Sequence, residues 1–416
     1  MELEFRHGQL WLDGVTLNAV AEEVGTPAYV YSRSRIESNW RSYKRAFDAR
    51  GHRLCYAVKA NDNLSVLQLL VRQGAGFDIV SGGELERVLT VGADPALIVF
   101  SGVGKSAAEI ERALECGVGC LNVESAAELA RVADIAERIG KTARFAIRVN
   151  PDIDPGTHPY IATGLKESKF GVPFPQARKL YAEALEHPWL SACGVACHIG
   201  SQLTSIAPMI EAVREVVHLA VELSSLGHPI SHVDVGGGLG IRYADEHPPP
   251  VETLVEAVIK EVPEQFEIHM EPGRSVVGNA GVLLARVEYV KRSEAKNFVV
   301  VDAAMNDLLR PALYQAWHEV LRCSAAGPAE QAELCDVVGP VCESGDWLAQ
   351  DRHLVATEGD LLAFSCAGAY GFVMSSNYNA RPRPVEVLVE GDTFRIVRQR
   401  ESVSDLMKSE RELLRS

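Results

Sequence analysis

A lysine, a run of glycines and a carboxylate followed by a guanidinium stand out for what they could do together. Lys59 closes the apolar segment Leu54–Lys59 and is followed by Ala60 and Asn61. Gly236, Gly237 and Gly238 follow Val233-Asp234-Val235, and Glu271-Pro272-Gly273-Arg274 lies further on. A lysine amine condenses with an aldehyde, best when partial desolvation lowers its pKa. Glycines let backbone N–H groups close around a phosphate. A carboxylate beside a pyridine nitrogen keeps it protonated, and a protonated ring is the stronger sink for electrons left at Cα. In this order the three elements suit pyridoxal phosphate acting on an amino acid.

Each piece alone has a plainer reading. Lys59 could be a solvated strand-end lysine, the glycines a tight turn, and Glu271 an ordinary strand-end carboxylate. Arg274 could grip a carboxylate bidentately or form a surface ion pair. The glycine run is neither G-x-G-x-x-G, since position 241 is Ile241, nor a P-loop, since no Lys-Ser/Thr follows. His198, in Cys197-His198-Ile199-Gly200-Ser201, could stack on a flat ring or serve the core, as could His158 and His232. Asp78 could orient another group or cap a helix. Downstream, Cys342-Glu343 sets a thiol, a possible proton donor, beside a carboxylate. Arg310 and Tyr314 offer an anion binder and a phenol. Tyr370 sits between glycines in Gly368-Ala369-Tyr370-Gly371.

Positioning these groups requires a repeating frame. Apolar, β-branched segments recur at Leu54–Lys59, Gly76–Ser81, Leu97–Ser101, Cys120–Glu124, Arg144–Asn150, Gly194–Ile199, His232–Gly236 and Phe266–Glu271. Helical periodicity fills most gaps, as at Leu64–Gln73, Gly83–Val91, Ala107–Cys116 and Ser125–Ile139. This predicts an α/β fold, a parallel (β/α)8 TIM barrel, with Lys59, Asp78, Arg148, His198, the glycines and Glu271 at strand C-termini, where barrel sites lie. An open doubly wound sheet would put a glycine-rich turn after the first strand, and none is there. Beyond about residue 275 the pattern turns to strands, at Gly281–Val290, Asn297–Val301, Cys335–Val338, Asp360–Phe364 and Pro384–Val389. Helices are expected at Ser32–Ala49 and Ser402–Leu414. The expected domains are a barrel over 28–275 and a mostly β domain built from 1–27 and 276–416.

Composition narrows the partners. Hydrophobic residues make up 47% of the 416-residue chain, enough for a large core, and the net charge of −15 argues against a nucleic-acid partner. The nine cysteines are scattered without a Cys-x-x-Cys, and no convincing His/Asp ligand set suggests a metal. An odd cysteine count fits reduced thiols in a cytoplasm. Met1–Gly14 lacks a signal-peptide apolar region, and no apolar run reaches the roughly 18 residues of a membrane span.

Together the motifs resemble those of the fold-type-III pyridoxal-phosphate decarboxylases, with the alanine-racemase/ornithine-decarboxylase-like architecture, and within them the diaminopimelate decarboxylase family. The matching runs are Tyr56-Ala57-Val58-Lys59-Ala60-Asn61, His198-Ile199-Gly200-Ser201, Gly236 to Gly240, Glu271 to Arg274, Arg310 to Tyr314, Cys342 to Asp346, and Gly368 to Gly371 running on to Ser375–Asn379. They keep the family's order and cover most of the chain. The resemblance implies that Lys59 carries the cofactor, His198 stacks on its ring and Glu271 pairs with its nitrogen. Ser201, the triple glycine, Gly273, Arg274 and Tyr370 would hold the phosphate. Arg274, Arg310 and Tyr314 would hold the substrate's distal carboxylate, with Glu343 on its amine. Cys342 would reprotonate Cα. Cys342 and Glu343 would come from a neighbouring subunit, making the active unit a homodimer with shared sites.

Decarboxylases of ornithine, arginine or carboxynorspermidine share the Lys, triple-Gly and Glu-Pro-Gly-Arg elements. Specificity therefore rests on Arg310, Tyr314 and the Cys-Glu-Ser run, because a second substrate carboxylate calls for a second cation. A non-catalytic pyridoxal-phosphate carrier would need only the barrel, not Cys342 and Tyr370.

Overall fold

Eight parallel strands close into a barrel among the described residues. In chain order they are Arg53–Ala57, Gly76–Ile79, Ile98–Phe100, Cys120–Val123, Ala143–Val149, Leu190–Cys197, His232–Asp234 and Glu267–Met270. Each pairs in parallel with its sequence neighbour, and Glu267–Met270 returns to Arg53–Ala57. The computed structural model describes residues 3–47, 52–154, 163–164, 168–327, 329–411 and 413–414. His158 and the expected helix end at 48–49 lie outside these. Two compact units result, residues 39–241 with 247–275, and residues 1–38 with 242–246 and 276–416.

In the barrel unit, local chemistry starts and stops the helices. Asn63, Ser81, Ser106 and Ser125 each accept a backbone N–H at a helix N-terminus, and Ser106 with Glu109 completes a capping box. Such caps contribute about 1 kcal/mol each. Gly117 and Gly140 end two helices in the left-handed conformation that glycine adopts without a Cβ penalty.

One irregularity is repaired by a side chain. The fifth and sixth strands slip register between Ala192 and Gly194, leaving Cys193 as the extra residue. A slip takes ladder partners from nearby backbone groups. The buried Tyr181 hydroxyl accepts from the Ile147 N–H at 2.9 Å and donates to the Gly194 carbonyl at 2.7 Å. Tyr181→Phe is expected to destabilise the chain by about 1–3 kcal/mol, since it strands two buried polar groups. A urea midpoint unchanged from wild type would contradict this account.

The other unit is mostly β. A sheet runs in the order Trp347–Leu354, Glu333–Val338, Asn297–Val301, Gly281–Lys291, Ala28–Ser32, Val385–Glu390, Thr393–Arg398, with Val320–Arg322 and Leu361–Phe364 attached beside Gly281–Lys291. Ala28–Ser32 is central there, antiparallel to Gly281–Lys291 and parallel to Val385–Glu390. All five of its residues are buried, so its apolar run Ala28–Tyr31 belongs to a strand covered on both faces. Residues 28–38 accordingly fall within this unit. Leu10, Leu12, Val30, Val282, Leu284 and Val387 share its core. The turns Glu358-Gly359-Asp360 and Glu390-Gly391-Asp392 imply strand-like runs on both sides, which the structure bounds as Trp347–Leu354 and Thr393–Arg398, whereas Val320–Arg322 was not anticipated. Among the described residues no helix is long and apolar enough to cross a membrane.

Candidate active site

The barrel delivers its chemical groups to the C-terminal ends of its strands. Lys59 does not end a strand as expected. Its strand stops at Ala57, whose N–H turns to the Pro272 carbonyl, and Val58–Ala60 forms a 3-10 turn. The Lys59 Nζ donates to Asp78 Oδ2 at 2.8 Å, where Asp78 is fully buried and the lysine side chain is 35% exposed. Asp78 Oδ1 is buried without a hydrogen-bond partner.

Glu84 joins this corner and escaped the sequence reading. It sits in the first turn of helix Gly82–Thr90 and accepts the Val80 N–H at 2.7 Å. Burial, with Asp78 adding to it, pushes its carboxyl up to about 7, against the Val80 hydrogen bond and Lys59. A helix-start glutamate reads as a cap; only its fold neighbours mark it otherwise.

His198 presents a neutral ring. Its Nδ1 accepts the Gly237 N–H at 3.3 Å. Burial, then the charges of Arg148 and Lys59, hold its pKa well below the usual imidazole value. Arg148, paired with Glu124 at 3.0 Å, donates to the His198 carbonyl at 3.2 Å.

The three glycines cross other backbone too closely for a side chain. A Cβ on Gly237 would lie 2.2 Å from the Glu271 carbonyl oxygen, one on Gly238 2.5 Å from that of Gly200, and one on Gly236 2.7 Å from His198 Nδ1. Gly236 and Gly238 also take φ of +67° and +115°. Arg274 donates to Ser201 Oγ through Nε at 3.3 Å and Nη2 at 3.1 Å. Gly237→Ala must shift a backbone carbonyl, and overpacking costs on the order of 1–3 kcal/mol. Pyridoxal phosphate affinity is expected to fall about tenfold or more, as read by fluorescence titration of the cofactor-free protein. Unchanged affinity would remove the glycines from the cradle.

Below the glycines two carboxyls meet. Glu271 and the buried Asp234 lie near enough for each to act on the other's charge. Asp234 also accepts from the Gly236 N–H at 2.9 Å and from Asn122 Nδ2 at 3.1 Å. Burial foremost, then Asp234, raises Glu271 well above the usual carboxylate range. Two neighbouring buried carboxyls resist ionising together. Glu271 Oε1 is buried with no hydrogen-bond partner, an acceptor suited to a ring N–H.

Pyridoxal phosphate fits these residues. A reactive amine, a cradle that a Cβ would fill, a guanidinium beside a hydroxyl and an acceptor without a donor answer its aldehyde, phosphate and pyridine nitrogen in turn.

The β unit holds the remaining candidates. Arg310 and Tyr314 begin and end the helix Arg310–Tyr314. Tyr370 takes a left-handed φ of +55°, which is strained for a bulky residue. Cys342 and Glu343 are exposed on one loop. Asn379 Oδ1 accepts the Cys342 N–H at 2.9 Å, and buried Asp346 accepts N–H groups from Met305 and Val341 at 2.6 and 2.7 Å. The last residue of the Cys-Glu-Ser-Gly-Asp run is thus the anchor of its loop.

Cys120, Cys193 and His232 bring donor atoms within 4.8 Å of one another. They lie in the barrel core, where Cys193 Sγ is 3.4 Å from the Phe145 carbonyl oxygen and 3.6 Å from Cys120 Sγ. Arg53 and Arg144 act on the same spot, which opposes a cation. We assign no ion to it.

Known proteins carry the same frame. The family described as "Pyridoxal-dependent decarboxylase, pyridoxal binding domain" matches residues 33–278. A diaminopimelate decarboxylase of Pseudomonas aeruginosa is 53% identical over 408 residues, 98% of each chain. The crystal structure of diaminopimelate decarboxylase from Helicobacter pylori complexed with L-lysine superposes with a TM-score of 0.92 at 44% identity, covering 95% of this chain and all of that one. That from M. jannaschii in co-complex with L-lysine gives 0.92 at 39% identity, over 99% and 98% of the chains.

Proposed function

The chain belongs to the diaminopimelate decarboxylase family of pyridoxal-dependent decarboxylases, and from that membership we propose how its residues act. It is a carboxy-lyase that converts meso-2,6-diaminopimelate to L-lysine and carbon dioxide, the last step of lysine biosynthesis. The observation that carries the reading is one barrel face bearing both the Lys59–Asp78 pair and the glycine cradle over a proton-holding Glu271. When bound, pyridoxal phosphate supplies the sink for the electron pair left at Cα as the carboxylate departs.

Lys59 anchors the cofactor through Nζ, and Asp78 holds that ammonium in the free chain. Glu271 keeps a proton at the ring nitrogen, and Asp234 fixes its carboxyl. His198 would lie against the ring as a neutral imidazole. Ser201, Gly236, Gly237, Gly238, Gly273, Arg274 and Tyr370 hold the phosphate through N–H, hydroxyl and guanidinium donors. Arg274, Arg310 and Tyr314 take the substrate's distal carboxylate, and Glu343 takes its distal amine. Cys342 gives its thiol proton to Cα after carbon dioxide leaves.

The assembly we propose is a cytoplasmic homodimer in which Cys342 and Glu343 serve the neighbouring subunit's site. Their exposure on an anchored loop supports this, and the nine free thiols support a reducing compartment.

Purified protein with pyridoxal phosphate is to be given meso-diaminopimelate, ornithine, arginine and lysine separately, with carbon dioxide release measured. Release from meso-diaminopimelate alone, with lysine formed, is expected. Release only from another amino acid would overturn the substrate assignment.

A further inference from the structure

We propose that His318 is the positioning residue for Arg310 and thereby sets affinity for the substrate's distal carboxylate. This rests on the assignment of Arg310 given above. Four groups of the β unit carry it: Arg310, His318, Tyr243 and the Ser365 carbonyl.

The hydrogen bonds fix the state of the imidazole. His318 Nδ1 lies 2.8 Å from the Ser365 carbonyl oxygen, which can only accept, so Nδ1 carries a proton. His318 Nε2 lies 2.9 Å from Arg310 Nη1, which can only donate, so Nε2 must offer its lone pair. His318 is therefore neutral, in its Nδ1–H form. The ring is fully buried, and Ser365 is held in turn by its N–H on the Glu319 carbonyl at 2.8 Å.

Arg310 is gripped on a second side. Its guanidinium carbon stands 4.5 Å from the centroid of the Tyr243 ring, within cation–π range. Tyr243 meets His318 edge to face at 5.5 Å. An arginine side chain loses considerable rotamer freedom when it engages a ligand. Here an acceptor at one N–H edge and an aromatic face at the plane restrict it beforehand. The guanidinium plane is thereby held in one direction. Lost orientation should therefore weaken binding of the carboxylate more than it slows bond breaking at the far end of the substrate.

No local motif announces this arrangement. Tyr243 and His318 lie 75 positions apart by their numbers (318 minus 243) and only the fold brings them to Arg310.

The test compares wild type, His318→Leu, His318→Gln, Arg310→Met and the His318→Leu/Arg310→Met double variant as full-length holoenzymes. The readouts are KM and kcat for meso-diaminopimelate and, without turnover, the Kd of L-lysine, which retains the distal carboxylate. His318→Leu should raise KM and the L-lysine Kd about tenfold, the usual scale for an unpaired buried donor, with kcat changed less. His318→Gln, which offers both an acceptor and a donor, should restore KM to within about threefold. In the Arg310→Met background the leucine substitution should add nothing. Should His318→Leu not fold, His318→Asn, too short to span Ser365 and Arg310, should raise KM in the same way. An unchanged KM in His318→Leu, or an equal rise with and without Arg310, would overturn the inference. A wild type that releases no carbon dioxide from meso-diaminopimelate would take down the functional reading, and this inference with it. An active wild type whose KM is untouched by Arg310→Met would take down only the role of Arg310 and of His318.

Discussion

Lys59→Ala is expected to lower carbon dioxide release from meso-diaminopimelate on the order of 10³-fold or more, because no other group replaces a positioned nucleophilic amine. The purified variant should also lack the cofactor absorbance that borohydride bleaches in wild type. Lys59 carries a second duty, since Asp78 Oδ2 receives its Nζ at 2.8 Å in a fully buried position. Removing the amine leaves a buried carboxylate without its cation, while the lysine side chain is partly exposed. The stability loss should therefore lie between the about 1 kcal/mol of an exposed pair and the about 3 kcal/mol of a buried one. Lys59→Arg separates the two duties. It keeps a cation beside Asp78 but cannot condense with an aldehyde, so stability should return and activity should not. Turnover by Lys59→Ala near the wild-type rate would end the reading of this residue.

Glu271→Gln should cut kcat/KM by about 10²–10³-fold, the scale of a misplaced catalytic proton, yet make the cofactor-free protein more stable at alkaline pH. The stability sign follows from linkage. The Glu271 carboxyl is held well above its ordinary 4.5 by burial and by Asp234. Above pH 4.5 the unfolded chain gives up that proton while the folded chain keeps it, so folding is progressively disfavoured as pH rises. The penalty is complete once the folded pKa is passed, and it is absent at pH values below 4.5. An amide does not titrate, and it relieves Asp234 of a like-charged neighbour. Urea midpoints of the cofactor-free proteins at pH 5 and pH 8 should show a smaller fall for the variant than for wild type. Equal falls, or an undiminished kcat/KM, would refute the proton-holding role.

The barrel was legible because its strands are short apolar segments between well-capped helices. Cys120–Val123 and Ala143–Val149 emerged almost where the pattern put them. The bounds of the outer strands of the β unit were not. Thr393–Arg398 is a largely exposed edge strand with no buried residue, and Trp347–Leu354 breaks its alternation where it pairs irregularly with Glu333–Val338. Trp347–Leu354 lacks the period that marks a half-buried strand, and the alternation of Thr393–Arg398 stops at Val397. The same limit governs the site. Lys59, His198, the glycines and Glu271 lie just past strand ends and could be read from that position. Glu84, Asp234 and His318 matter through partners supplied by the fold. Asp234 was visible only as the residue before Val235, and its contacts with Asn122 and Glu271 come from other strands.

The central place of Ala28–Ser32 in its sheet bears on how the chain is made. This strand leaves the ribosome well before its two neighbours, Gly281–Lys291 and Val385–Glu390. At roughly 5–20 residues per second, its second neighbour follows by roughly 20–70 s. During that interval the intervening barrel sequence is completed, while the apolar run Ala28–Tyr31 waits with at least one edge unpaired. A message stalled before Gly281 would leave that strand with neither of the neighbours it pairs with in the sheet.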